Sequence, residues 1–135
     1  MLPTLARLTP CVLLILCSCG TLQMYPGASR PKNEVAMIEP GGHFFRQVSI
    51  HTVDGRSLGF GSRSAEVLPG EHVVMVQLTQ SAGNRIRIIQ REVTFVAAAA
   101  KTYRVEAKET GFWDTAFWVW VEDAAGAFVA GEKPK

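Results

Sequence analysis

An all-β chain, folded as a small antiparallel β-sandwich of about seven or eight short strands, is what the sequence predicts. Three observations carry that expectation. Turn chemistry punctuates the chain after position 33, at Pro40-Gly41-Gly42, Asp54-Gly55, Pro69-Gly70, Gly83-Asn84 and Gly126. The segments between these turns are rich in Val, Ile, Thr and aromatic residues. None of them carries the long three-to-four-residue apolar period that a helix requires.

In order, Asn33–Glu39 reads as a first strand that stops at Pro-Gly-Gly. Gln47–Val53 alternates around Val48 and Ile50 and runs into Asp54-Gly55, which tolerates the positive φ of a tight hairpin turn. Ser57–Phe60 is its return strand. Ala65–Leu68 leads to Pro69-Gly70, and His72–Thr79 is strongly β-branched. Turn chemistry follows at Ser81–Asn84. Arg85–Val96 is long for one strand, and a bulge or break near Gln90 is expected. Lys101–Ala107 and Thr115–Val121 complete the set with a short Ala127–Ala130. The run Ala97–Ala100 lies between β-like segments and reads as a tight connection. Gly131–Lys135 reads as a mobile tail.

The 135 residues, 47% hydrophobic and 19% charged, suit one domain, here placed at residues 33–130. A net charge of +2, from fourteen basic residues interspersed with twelve acidic ones, does not provide the basic face that a polyanion needs. Nucleic acid is therefore not an expected partner. The nearest approach to a basic stripe is Arg85, Arg87 and Arg91, which reads as a solvated strand face.

The N-terminus carries an address. Residues 1–10 hold one arginine, Arg7, and no acid, and Cys11–Cys17 is an uninterrupted apolar run. Seven residues are far short of the ~20 that cross a bilayer core, so the run reads as the apolar region of a secretory signal peptide. Leu16-Cys17-Ser18-Cys19 then places a large aliphatic residue three before a cysteine and a small residue just before it. This resembles a lipobox, in which the peptidase grips the aliphatic side chain and only a thiol can carry the thioether-linked lipid. Cys19 is the expected lipid attachment, residues 1–18 the signal peptide and 19–32 the lipidated N-terminus and tether. Processing at the competing Cys17 would put bulky Leu16 at the scissile bond. An ordinary signal peptide cut after Ser18 or Gly20, releasing a soluble periplasmic protein, is the alternative. All three cysteines, Cys11, Cys17 and Cys19, fall in this apolar leader. A metal or redox site needs a folded scaffold, which such a leader does not provide. In the tether, Tyr25-Pro26-Gly27 could instead dock on the domain as an ordered turn.

Val53-Asp54-Gly55, Leu68-Pro69-Gly70-Glu71-His72 and Lys101-Thr102-Tyr103-Arg104-Val105 together resemble the PEGA-like and carboxypeptidase-regulatory-like β-sandwich modules. The chain also looks like small Gram-negative lipoproteins in which Tyr-Pro-Gly and an E-V-A strand follow the lipidated cysteine, as Tyr25–Gly27 and Glu34–Ala36 do here. It departs from the module pattern at Ala100, where glycine usually precedes the Lys-x-Tyr strand. The resemblance implies an anchored, non-catalytic module, and Gly20 in place of Asp after the cysteine implies sorting to the outer membrane, facing the periplasm.

No residue set points to catalysis. His43, His51 and His72 match no metal-ligand spacing, Ser57 and Ser62 lack a G-x-S-x-G turn, and no phosphate loop or dinucleotide fingerprint is present. No enzyme, metal or cofactor is expected. The one feature singled out is Phe112-Trp113-Asp114-Thr115-Ala116-Phe117-Trp118-Val119-Trp120. Strand alternation puts Trp118 and Trp120 on one face and Phe117, Val119 and Val121 on the other. Either this is a strand buried on both sides, or Phe112, Trp113, Trp118 and Trp120 form an aromatic surface for a protein partner or a cell-wall glycan. The expectation drawn is an interaction or structural module of the envelope, held to the membrane by its N-terminal lipid; glycan binding is the alternative.

Overall fold

The computed structural model describes residues 20–41, 48–59, 64–110 and 116–135. These form ten strands: β1 (Thr21–Gln23), β2 (Ala36–Pro40), β3 (Val48–Val53), β4 (Arg56–Ser57), β5 (Ser64–Val67), β6 (Gly70–Ala82), β7 (Arg85–Ala97), β8 (Thr102–Thr110), β9 (Ala116–Asp123) and β10 (Phe128–Gly131). They make two sheets, ordered β1-β5-β2-β8-β9-β10 and β4-β3-β6-β7. The all-β sandwich is as the turn residues predict.

Period-two alternation builds the core. Ile38, Ala65, Val67, Tyr103, Val105, Phe117, Val119 and Val121 of the first sheet meet Val48, Ile50, Val74, Val76, Leu78, Ile89, Val93 and Phe95 of the second. Such buried aliphatic contacts supply most of the stabilisation. Phe95 and Tyr103 pack ring to ring across the layers at 5.0 Å. Gln80 closes one end of the core, donating from Nε2 to Glu109 Oε2 at 3.1 Å.

The short connections at 68–69 and 98–101 keep strands of the two sheets aligned, so the sandwich has two distinct ends. At one end, called upper here, lie Gly20, the end of β2, the starts of β3 and β5, the β6–β7 turn, the end of β8 and the start of β9. At the lower end lie the Asp54-Gly55 turn, the β5–β6 and β7–β8 connections and the β9–β10 turn.

Several features differ from the sequence expectation. The first sheet is mixed, because β1 runs parallel to β5 and β2 parallel to β8. Both parallel pairs arise where the chain returns from a distant element, whereas tight turns make antiparallel ones. The segment expected as a tether is largely tied to the domain: Thr21–Gln23 pairs with Ser64–Glu66, and Tyr25 is 5% exposed. The Tyr25 hydroxyl donates to Glu66 Oε1 at 2.5 Å and accepts from the Arg30 N–H at 3.0 Å. Here the docked alternative for Tyr25-Pro26-Gly27 holds. The expected first strand begins later, since Lys32–Glu34 is a 3₁₀ turn after Pro31, whose fixed φ suits a helical start.

β7 is neither bulged nor broken at Gln90. All thirteen of its residues pair with β6 through the two-residue Gly83-Asn84 turn, and Gln90 donates across the ladder to Gln77 Oε1 at 3.0 Å. The expected tail begins inside β10, and the Glu132 N–H donates to Val119 O at 2.9 Å.

The Asp54-Gly55 turn and the start of β6 are joined by side-chain hydrogen bonds. Asp54 adopts φ 51° and Gly55 φ 78°, the mirror-image turn that matches strand twist. Asp54 Oδ2 meets His72 Nδ1 at 2.5 Å, and Asp54 Oδ1 accepts from the Val73 N–H at 2.8 Å. The two turns are thus clamped together. Ala100 takes φ 63°, a conformation an L-residue adopts at a cost.

Candidate functional site

Of the residues expected at a functional surface, Cys19, Phe112 and Trp113 lie outside the described residues. Trp118 and Trp120 do share the outer face of β9, opposite the core-facing Phe117, Val119 and Val121. Trp118 is half-buried and stands opposite Lys108 of β8.

Trp120 is not available as a stacking platform, being only 5% exposed. Its Nε1–H donates to Glu122 Oε1 at 2.9 Å. Lys133 Nζ donates to the same oxygen at 3.1 Å and lies 5.9 Å from the indole ring centroid. The bonds from Trp120 and then Lys133 hold the Glu122 carboxyl below the usual glutamate range. On the other side, β10 is pressed against β9. A Cβ on Gly131 would fall 2.5 Å from Val119 O and 2.7 Å from Trp120 Cα. Trp120 therefore belongs to a locked corner in which the C-terminal residues cover the outer face of β9, and a shallow recess beside it is lined by Lys108, Lys133 and Pro134.

The histidines are dispersed in role. His43 lies outside the described residues, and His51 sits at a register shift of β3, where its carbonyl accepts from the Leu58 N–H at 3.3 Å. His72 faces Asp54 through Nδ1 and the Leu68 carbonyl through Nε2 at 2.6 Å. Each ring nitrogen thus lies within hydrogen-bond distance of an oxygen of the fold itself, and the ring is engaged on both sides. Ser57 Oγ accepts from the Gly59 N–H at 3.1 Å, and Ser62 lies outside the described residues. Among the described residues no three His, Cys, Asp or Glu side chains gather as metal ligands.

A feature that sequence reasoning missed is the β6–β7 tip. Arg85, Arg87 and Arg91 do line one strand face, but it is the core-facing parity of β7, shared with Ile89, Val93, Phe95 and Ala97. Arg85 and Arg87 continue that face past Ile89, whereas Arg91 stands exposed between the buried Ile89 and Val93. The opposite parity exposes Ile86 by 71% and Ile88 by 58%. The signal was present in Ile88-Ile89: two adjacent isoleucines cannot both face inward, and the odd-numbered Val93, Phe95 and Ala97 fix which one does.

No protein-family model, curated protein or solved structure matches the chain. Its function must be read from its own residues.

Proposed function

We propose that this chain is a lipid-anchored, non-enzymatic module of the cell envelope, held by Cys19 on the periplasmic side of the outer membrane. The lipobox-like Leu16-Cys17-Ser18-Cys19 after a seven-residue apolar run is the observation that carries the proposal. The fold agrees with it in one respect: the sheet begins immediately after that cysteine, with Gly20 O accepting from the Ser64 N–H at 2.7 Å. An anchor at Cys19 would tie the membrane directly to the upper end of the sandwich. The engagement of His72 on both ring nitrogens supports a structural role for the residue closest to catalytic chemistry.

As an interaction module it offers strand faces, sheet ends and open recesses, one of them lined by Arg91, Glu92, Thr94, Phe117, Val119 and Glu132. The resemblance to PEGA-like modules supports the same reading, since the turns that carry it are used here to clamp the lower end. Glycan binding through the Trp113–Trp120 region finds less support, because Trp120 is committed to Glu122, Lys133 and β10.

The test is fractionation of cells expressing wild type and Cys19→Ala. Recovery of wild type in outer-membrane fractions and loss of the variant from them is the expected result. Identical partitioning of the two would overturn the anchored reading.

A further inference from the structure

Residues 20–34 are fastened to the outside of the domain rather than built into it. β1 is three residues long, stands at the edge of its sheet and pairs with β5. β5 is held independently on its other side by β2, from Ala36 opposite Val67 to Ile38 opposite Ala65. Within residues 20–34 Tyr25 alone is buried, and 26–34 are exposed throughout. The core cluster of the described residues includes none of this segment; Leu22 and Met24 rest against it, partly buried.

The attachment is concentrated at Tyr25. Its hydroxyl donates to Glu66 Oε1, and the neighbouring Met24 N–H donates to Glu66 O at 2.9 Å. Gln23 Nε2 donates to Tyr25 O at 3.0 Å and to Gly27 O at 2.8 Å, bonds that fold the segment on itself rather than onto the sheet. The two ends of the segment lie at opposite ends of the sandwich. Gly20 is at the upper end, its carbonyl bonded to the Ser64 N–H. Val35 is buried at the lower end, where its carbonyl accepts from the Ala100 N–H at 2.8 Å.

We propose that residues 20–34 are a releasable strap latched by Tyr25, and that its release moves the membrane attachment of the domain from the upper end to the lower. The inference rests on the anchored reading above. With the strap docked, the lipid is one residue from a fixed sheet edge, so the domain stands on its upper end. With the strap released, the chain from Gly20 to Glu34 is a tether that leaves the domain beside Val35, with a contour of about 50 Å and a root-mean-square span of about 20 Å. Segments held by few buried apolar contacts open at a lower free energy than the whole fold. Release leaves the β5-β2-β8-β9-β10 and β4-β3-β6-β7 pairings and the core between them in place.

The experiment uses the mature lipidated protein. In nanodiscs, hydrogen exchange at low urea compares two neighbouring amides of β5. The Ser64 N–H bonds to Gly20 O, whereas Ala65, one residue on, turns its backbone groups toward β2. Ser64 is expected to be less protected than Ala65 by about tenfold or more and nearly insensitive to urea. A disulfide between Thr21→Cys and Ser64→Cys, directly opposed in the ladder, should raise the protection at position 64 to that of Ala65. In vesicles carrying acceptor lipids, a donor on Asn84→Cys at the upper end should transfer several-fold more energy than one on Ala124→Cys at the lower end, the ends being about 40 Å apart at the rise of a thirteen-residue strand. Met24→Pro with Tyr25→Ala, which removes the bond to Glu66 O and the latch but no residue of the core cluster, should abolish that difference.

Vesicle-bound protein in which Ser64 and Ala65 are equally protected, with one urea dependence, overturns the strap and leaves the anchor standing. A difference between labels that survives Met24→Pro with Tyr25→Ala does the same. Protein that does not float with vesicles overturns both. The exchange comparison is made on wild type and decides the matter whether or not the double variant folds.

Discussion

Replacing Tyr25 by Phe removes one oxygen and tests whether the N-terminal segment is structurally part of the domain. That hydroxyl donates to Glu66 Oε1 at 2.5 Å, and Glu66 is itself only 9% exposed. A hydrogen bond to a charged acceptor contributes about 1.5–3 kcal/mol, and its loss leaves a poorly hydrated carboxylate short of a donor. The Arg30 N–H also loses its acceptor, but that residue is exposed and water replaces it at little cost. A destabilisation of about 2 kcal/mol follows, and with a urea slope of about 1.5 kcal/mol/M the midpoint falls by about 1.3 M. The cycle with Glu66→Gln isolates the bond. Glu66→Gln should destabilise wild type by about 1 kcal/mol, because the amide still accepts from the tyrosine, but should be neutral or stabilising in the Tyr25→Phe background, where the buried charge has lost its partner. Equilibrium urea unfolding followed by tryptophan fluorescence provides the readout. A midpoint shift below about 0.3 M for Tyr25→Phe, or equal effects of Glu66→Gln in both backgrounds within about 0.3 kcal/mol, would refute the docking of this segment.

Ala100→Gly should stabilise the protein by about 0.5–1 kcal/mol, since relief of the φ 63° strain exceeds the added freedom of the unfolded chain; thermal melts check the sign. Gly131→Ala should cost about 2–4 kcal/mol, because φ 95° and the approach to Val119 O and Trp120 Cα both oppose a Cβ, and the fluorescence of Trp120 should report the shift of β10. Glu122 has a lowered pKa in the fold, so its contribution is complete above the unfolded glutamate value of about 4.3 and is lost as pH falls through the lower folded value. Wild type should therefore lose more stability between about pH 5 and pH 3 than Glu122→Gln does, as read from urea midpoints across that range. His72→Leu should cost about 1–3 kcal/mol by leaving Asp54 without its ring partner, and hydrogen exchange at Gly55 and Val73 should accelerate first.

Turn residues made the fold class legible. Asp54-Gly55, Pro69-Gly70 and Gly83-Asn84 each impose a local geometry, and the segments between them alternate with period two, so β3 and β5 to β9 lie close to where the sequence puts them, while the return strand expected at Ser57–Phe60 is the two-residue Arg56–Ser57. Pairing partners were not legible. Nothing local to Thr21–Gln23 marks it as a strand, because its identity comes from β5, forty residues away, and from the buried Tyr25–Glu66 bond. The same applies to Gly131, whose role depends on the close approach of β9. β7 stays continuous through Gln90 because Gln77 lies directly opposite and satisfies its amide, a cross-strand pair that a reading along one strand does not reveal. At the aromatic stretch, alternation correctly separates Trp118 and Trp120 from Phe117 and Val119. It cannot anticipate that residues 131–134 return to cover Trp120.

The central claim is that Cys19 becomes the lipid-bearing first residue of the mature protein, and intact mass of the chain extracted from membranes tests it most directly. A mass matching residues 19–135 plus diacylglycerol or a triacyl modification is the predicted result. An unmodified chain, whether it begins at Met1, Cys19 or any later residue, would contradict it.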